Sequence, residues 1–378
     1  MARYLTNTRL LLPDAAAGFG SAIEIADGHI RAILPADAVP EGADSVDLGG
    51  ALLAPGFLDT QVNGGGGVLF NDAPTVEALE AIASAHRRFG TTGLLPTLIS
   101  DELEVVRAGI AAVDAAIAAG VPGILGIHIE GPFLNPARHG IHLPEHMRTL
   151  DEAGFEAVTG LKRGVTLVTL APERTTTGMV RRLAAAGLRL SAGHSDSGYD
   201  EAMAGFEAGI GAVTHLFNAM SPLTSRAPGL VGAALDRDDT ILALIADGHH
   251  VHPASMRVAL KAAGPERIML VTDAMPSTGA ATQDFELQGR HIHYADGALR
   301  GPDGQLAGSA LDMLSAVRNA ATMLGVGLET ACRMAAGVPA RFLGLPHGRI
   351  EPGAPADFVI LTEEGTLQAV IQGGRLHV

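Results

Sequence analysis

The sequence predicts an α/β fold: a (β/α)8 TIM-like barrel joined to a small β-sandwich domain built from both chain ends. Three observations point to it. Eight apolar runs each end in a polar residue able to do chemistry. Successive endings fall roughly 20 to 40 residues apart, room for a crossover helix each time. The two ends of the chain share a turn-rich, alternating style that the middle lacks.

Taken from the start, residues 4–53 alternate short strand-like pieces with turns: Leu10–Leu12, Ala22–Ile25, Ile30–Leu34 and Ser45–Leu48. Ala26-Asp27-Gly28 is a hairpin signal. The far end repeats the style from Gly348 to Leu361 and again over Leu367–Ile371. Chain termini often lie close together, so residues 1–53 and 345–378 are expected to form one β-domain, with the barrel inserted between them at 54–344.

Within the insert the runs end at Gln61-Val62-Asn63, Thr97, His128-Ile129-Glu130, Thr169, Gly193-His194-Ser195, Thr214-His215, Ala246-Asp247-Gly248 and Thr272-Asp273-Ala274. Runs such as Ile124–Ile129, Leu188–Leu190, Ile241–Ile245 and Ile268–Val271 are short, continuous and rich in branched residues, the mark of strands buried on both faces. Alanine-rich stretches, among them Thr75–Phe89, Glu102–Ala119, Thr177–Ala186 and Asp200–Ala208, read as the intervening helices. In such a barrel the active site sits at the C-terminal strand ends, where these carboxylates and imidazoles gather.

The balance of 26 basic against 41 acidic residues leaves a formal charge of −15 over 378 residues, with no basic tract. Nucleic acid and anionic membrane are therefore excluded as expected partners. No apolar stretch reaches the ~18 residues of a membrane span, and the first ten residues lack the apolar region of a secretory leader. The single cysteine, Cys332, allows no internal disulfide and suits a reducing cytoplasm. It reads as a small packed residue on a helix.

Glu130, His194 and His215 close the third, fifth and sixth runs. Three nitrogen and oxygen ligands with an open position form the usual arrangement of a catalytic divalent metal. One histidine at a strand end is ordinarily structural; two histidines and a glutamate on near-neighbouring ends shift the balance to a metal. Ser191, Ser195 and Thr214 stand where they could orient the imidazoles. Asp273, closing the eighth run, would face the attacking water and is the candidate general base.

Seven stretches carry a resemblance: Pro55 to Gly65, His128-Ile-Glu-Gly-Pro-Phe-Leu-Asn135, Gly193-His-Ser195, Thr214-His-Leu-Phe-Asn-Ala-Met220, Ile245-Ala-Asp-Gly-His-His250, Val271-Thr-Asp-Ala274 and Leu306-Ala-Gly-Ser309. The chain resembles the N-acetylglucosamine-6-phosphate deacetylases of the amidohydrolase superfamily. That resemblance implies hydrolysis of the acetamide of N-acetyl-D-glucosamine 6-phosphate to the free amine and acetate. It implies one divalent metal per subunit, Zn2+ first and Fe2+, Co2+ or Mn2+ as alternatives. Many amidohydrolases carry His-x-His on the first strand; Gln61 and Asn63 stand there instead, which argues against a two-metal site. The true His-x-His of this chain, His291-Ile-His293, lies in an alternating, turn-flanked segment and reads as an exposed hairpin face.

By the same resemblance His142 helps polarise the acetyl carbonyl, while His139 and His146 have no match and read as solvated. Arg226 and His250 match positions that contact the phosphate, and in that family the arginine crosses from the neighbouring subunit of a homodimer. The backbones of Ile141, Asn218 and Ala219 and the loop Leu306-Ala307-Gly308 would hold the remaining sugar and acyl atoms. His249 has no assigned role. Three alternatives stand beside this reading: the galactosamine epimer as substrate, a cyclic-amide hydrolase on the same barrel, and an inactive sugar-phosphate-binding regulator. The second is disfavoured by Glu130 and the missing His-x-His, the third by retention of Asp273 with all three metal positions.

Overall fold

Each apolar run of the middle segment is followed by an amphipathic helix, so its strand can be covered outside and filled inside. In the computed structural model, which describes residues 2–11 and 21–377, the runs form eight parallel strands paired in chain order. They are β1 (Phe57–Val62), β2 (Thr91–Ile99), β3 (Gly126–Glu130), β4 (Val165–Leu170), β5 (Arg189–Ala192), β6 (Ala212–Val213), β7 (Ile241–Ile245) and β8 (Ile268–Val271). Every residue of β1, β2, β3, β7 and β8 is buried, as a strand enclosed on both faces requires.

The ring closes between β8 and β1 at their C-terminal ends. Val62 bridges Ala274, and the Asp273 N–H donates to the Gln61 carbonyl at 3.0 Å. Lower in the same seam the Thr272 hydroxyl donates to the buried Asp59 carboxylate at 2.5 Å. The β2 strand runs to Ile99, two residues beyond the expected ending at Thr97. Thr97 instead turns its hydroxyl into a polar belt inside the barrel. That belt links it to His128 and, through Thr169 and Thr214, to Ser191.

The expected helices appear at Val76–Arg87, Leu103–Ala118, Thr177–Ala185 and Tyr199–Ala208. Leu103–Ala118 buries Leu103, Val106, Ile110 and Val113, a three- and four-residue spacing that lays one apolar stripe on the strands. Thr75 and Thr176 cap two of these helices by accepting the N–H three residues on. Cys332 is buried in the helix Leu328–Ala335. Among the described residues no helix is long and apolar enough to cross a membrane.

Both chain ends enter one mixed β-structure. Arg3–Leu10 pairs antiparallel with Ser21–Ala26 along its first half and parallel with Leu52–Pro55 at its end, so it belongs to two layers. Phe358–Leu361 pairs with Leu52–Pro55, and Leu367–Gln372 and Arg375–His377 follow it. Leu5, Ile23, Leu53, Phe358 and Ile371 pack between the layers as a small sandwich core. Asp27 and Gly28, both at positive φ, turn the predicted hairpin. The strand Leu52–Pro55 straddles the 53/54 boundary drawn from composition. Of the expected piece Leu10–Leu12, Leu10 ends Arg3–Leu10 and Leu12 lies outside the described residues.

After β8 comes a three-stranded antiparallel insertion, Phe285–Leu287, Arg290–Ala295 and Ala298–Arg300. Its inner residues Leu287, Ile292 and Leu299 pack on Ile141, Met275 and Ala307. His291 and His293 point the other way and are exposed, as the alternation predicts.

Candidate metal and catalytic centre

Just past their strands, His194, His215 and Asp273 take left-handed backbone conformations, with φ of 48°, 35° and 54°. Such values are uncommon outside glycine and persist where surrounding contacts over-determine them. Here they turn three side chains over the barrel mouth instead of into a following helix.

His215 Nε2 lies 3.0 Å from Glu130 Oε1, and His194 Nε2 lies 3.3 Å from the same oxygen. The two Nε2 atoms are 3.1 Å apart. Bond lengths of about 2.0–2.1 Å to a tetrahedral ion imply ligand separations of about 3.3 Å, so the three donor atoms stand as ligands of one ion would. His194 Nδ1 donates to the Arg138 carbonyl at 2.8 Å, which leaves its Nε2 with a lone pair to offer. Burial pushes Glu130 up, but the neighbouring His194 and His215 rings outweigh it and hold the carboxyl well below its usual range. The donor set thus fits a divalent metal. Ser191, Ser195 and Thr214 do not orient the imidazoles as expected. Ser191 and Thr214 bond to each other in the belt, and Ser195 donates to Glu173.

Gln61 and Asn63 act here as hydrogen-bond donors. The Asn63 amide donates to Asp273 Oδ1 at 2.6 Å, and the Gln61 amide reaches both Asp273 Oδ1 and Glu130 Oε2 at 3.2 and 3.1 Å. Burial, reinforced by the Glu130 charge, raises the Asp273 carboxyl to about 6; His215, His250 and the Asn63 bond pull against it.

His142 is buried, and its ring centroid lies 4.4 Å from that of His194. The Ser100 backbone N–H donates to His142 Nδ1 at 3.2 Å. An N–H can only meet a lone pair, so the proton of the neutral ring sits on Nε2. Burial and the neighbouring His194 hold His142 well below the usual histidine range, so the ring stays neutral. It is therefore a neutral donor, suited to a carbonyl oxygen.

These groups line a cleft of about 220 Å³, which Ile141, Asn218, Ala219, His250, Leu306 and Gly308 also border. Ala307 does not border it; fully buried, it packs beneath the insertion. Arg226 does not reach it either. It is exposed, with no hydrogen bond or ion pair among the described residues. Sequence reasoning missed three supports. Asp247 Oδ2 accepts from His250 Nδ1 at 2.6 Å, while its other oxygen takes the His249 and His250 N–H groups. Its place at the end of the seventh run, three residues before His250, was the available signal. Ser100, which bonds His142, and Gln305, which borders the cleft, gave none, since neither belongs to a motif.

Residues 52–376 match the amidohydrolase family. The chain is 45% identical to an N-acetylgalactosamine-6-phosphate deacetylase of Shewanella sp. (strain ANA-3), over 94% of this chain and 91% of that protein. It is 37% identical to a protein of the same name from Escherichia coli O157:H7, over 93% of each. The crystal structure of N-acetylglucosamine-6-phosphate deacetylase from Pasteurella multocida superimposes with a TM-score of 0.96 at 32% identity, covering all of both chains.

Proposed function

Because the chain belongs to the amidohydrolase family, we propose that it hydrolyses the acetamide of N-acetyl-D-glucosamine 6-phosphate, releasing acetate and D-glucosamine 6-phosphate. The observation that carries this reading is the meeting of Glu130, His194 and His215 beside Asp273 and His142 at one cleft. When bound to the three ligands, a divalent metal, Zn2+ by the histidine and carboxylate donor set, would supply Lewis acidity toward the acyl carbonyl and the attacking water.

The chain's own groups do the rest. His142 donates from Nε2 to the acetyl oxygen as negative charge grows there. Asp273 removes a proton from the water that attacks the acyl carbon. As the carbon–nitrogen bond breaks, it returns that proton to nitrogen, because an unprotonated amine is a poor leaving group. Asn63 and Gln61 hold its carboxylate during both transfers. Asp247 holds His250 toward the substrate, and the backbones of Ile141, Asn218, Ala219 and the Leu306–Gly308 loop seat the sugar and acyl atoms.

Arg226 serves the phosphate from the partner subunit of a homodimer. Its loop, Ser221 to Gly229, is rich in proline and glycine, and its exposed guanidinium has no partner of its own among the described residues. A buried lone cysteine suits a cytoplasmic setting. A second reading, the galactosamine epimer, is favoured by the two relatives of that name at 45% and 37% identity. Acetate release measured on both epimeric phosphates, with metal analysis of the same sample, tests both. Release from neither would reject the function, and a preference of tenfold or more would assign the epimer.

A further inference from the structure

We propose that the outer face of the insertion after β8 carries a second, peripheral site for a divalent transition metal, held by Asp284, His291 and His293. Residues two apart on a strand point to one side, and His291 and His293 do so while Ile292 between them is buried against the cleft wall. Three donor atoms converge on that side. His293 Nδ1 is 2.8 Å and His291 Nε2 is 3.5 Å from Asp284 Oδ2. These distances bracket the ligand separation of about 3.3 Å expected around a tetrahedral ion.

The supports are those a metal site needs. Glu286 is paired directly across from His291, and its Oε1 accepts from His291 Nδ1 at 3.0 Å. That bond leaves Nε2 of His291 free toward Asp284, the carboxylate–histidine–metal arrangement that fixes a ligand's tautomer. Asp284 is itself aimed by the Tyr294 N–H, which donates to Oδ1 at 2.9 Å and leaves Oδ2 for the ion. Two imidazoles and one carboxylate select Zn2+, Ni2+ or Cu2+ over Mg2+ or Ca2+. All three ligands are exposed, so water can fill the remaining positions. None belongs to the cleft, so the ion is no part of the hydrolysis. It ties the chain before Phe285 to the strand Arg290–Ala295, the element that backs Ile141 and Met275.

Zn2+ titrated calorimetrically into the protein already loaded with its first Zn2+ tests the site. One further equivalent should bind. His291→Ala/His293→Ala should lose it, weakening affinity at least tenfold, with acetate release and the circular dichroism spectrum unchanged. Glu286→Gln should weaken the same event severalfold by releasing the His291 ring. No further equivalent in the unaltered protein, or one that survives the double substitution, would overturn the proposal. Should the double variant fold poorly, Asp284→Asn gives the same decision.

Discussion

The side-chain amide of Asn63 donates to the carboxylate of Asp273 across 2.6 Å, joining the first and last strands of the barrel at the point where the ring closes. Asn63, on the first strand, thus holds the carboxylate proposed as the general base. Asn63→Ala removes a bond that favours the ionised carboxylate. A base works only when ionised, so activity falls as pH drops through its pKa. A cation held by Glu130, His194 and His215 would only pull Asp273 below the value of about 6 reached by burial, so the acidic limb of kcat/KM should lie at or below about 6. In Asn63→Ala it should move to higher pH, with kcat down roughly tenfold, the scale of one hydrogen bond to a charged group. An unmoved limb would show that Asn63 does not hold the base.

Asp273→Asn keeps the shape and all three metal positions but cannot accept the proton. Turnover should fall by about 10²–10⁴ while metal content stays constant. Near-normal turnover would mean that another group is the base.

About one divalent ion per chain should survive exhaustive dialysis of the His291→Ala/His293→Ala variant, which lacks the peripheral ligands, since Gln61 and Asn63 offer no imidazole nitrogen to a second ion at the barrel mouth. His194→Ala should lose that ion, and a chelator should abolish acetate release until metal is restored. Two tightly held ions, unaffected by His194→Ala, would contradict the ligand assignment.

Arg226→Ala should raise KM for the phosphorylated sugar by roughly tenfold or more, from about 1.5–3 kcal/mol of lost charge-assisted bonding. The unphosphorylated sugar should be almost unaffected. Mixing Arg226→Ala chains with Asp273→Asn chains creates one site with both lesions and one with neither. Recovered activity supports a shared site; none, in verified heterodimers, assigns Arg226 to its own chain or to no site.

Asp59 lies fully inside the seam, and desolvation raises its carboxyl to about 7 despite hydrogen bonds from Thr272 and Gln61. From the unfolded value of 3.8 up to about 7, the folded chain holds a proton there that the unfolded chain gives up. This group's contribution to stability therefore declines as pH rises through that window, by about 4 kcal/mol in all. Asp59→Asn should flatten that part of the stability profile and leave the protein relatively more stable at pH 8. Denaturant midpoints between pH 4 and 8 measure it, and two parallel profiles would refute the assignment.

By itself the sequence determined the strands, the helices and the residue types at the barrel mouth. A short apolar run bounded by turn signals reads as a strand buried on both faces, and the polar residues that end it fall at or near the rim. Glu130, His194, His215 and Asp273 were legible for that reason, and the alternation around Ile292 placed His291 and His293 outside. Only the tertiary structure decided what each polar group touches. The Ser100 backbone N–H sets the tautomer of His142 from 42 residues away, and Asn63 holds Asp273 from 210 residues away. Thr214, beside a metal ligand in sequence, bonds to Thr169 and Ser191 rather than to an imidazole. The physical reason is one of range. Periodicity is a property of neighbours along the chain, whereas a hydrogen bond closes only when ring closure, strand register and the left-handed turns at His194, His215 and Asp273 bring distant atoms within about 3 Å.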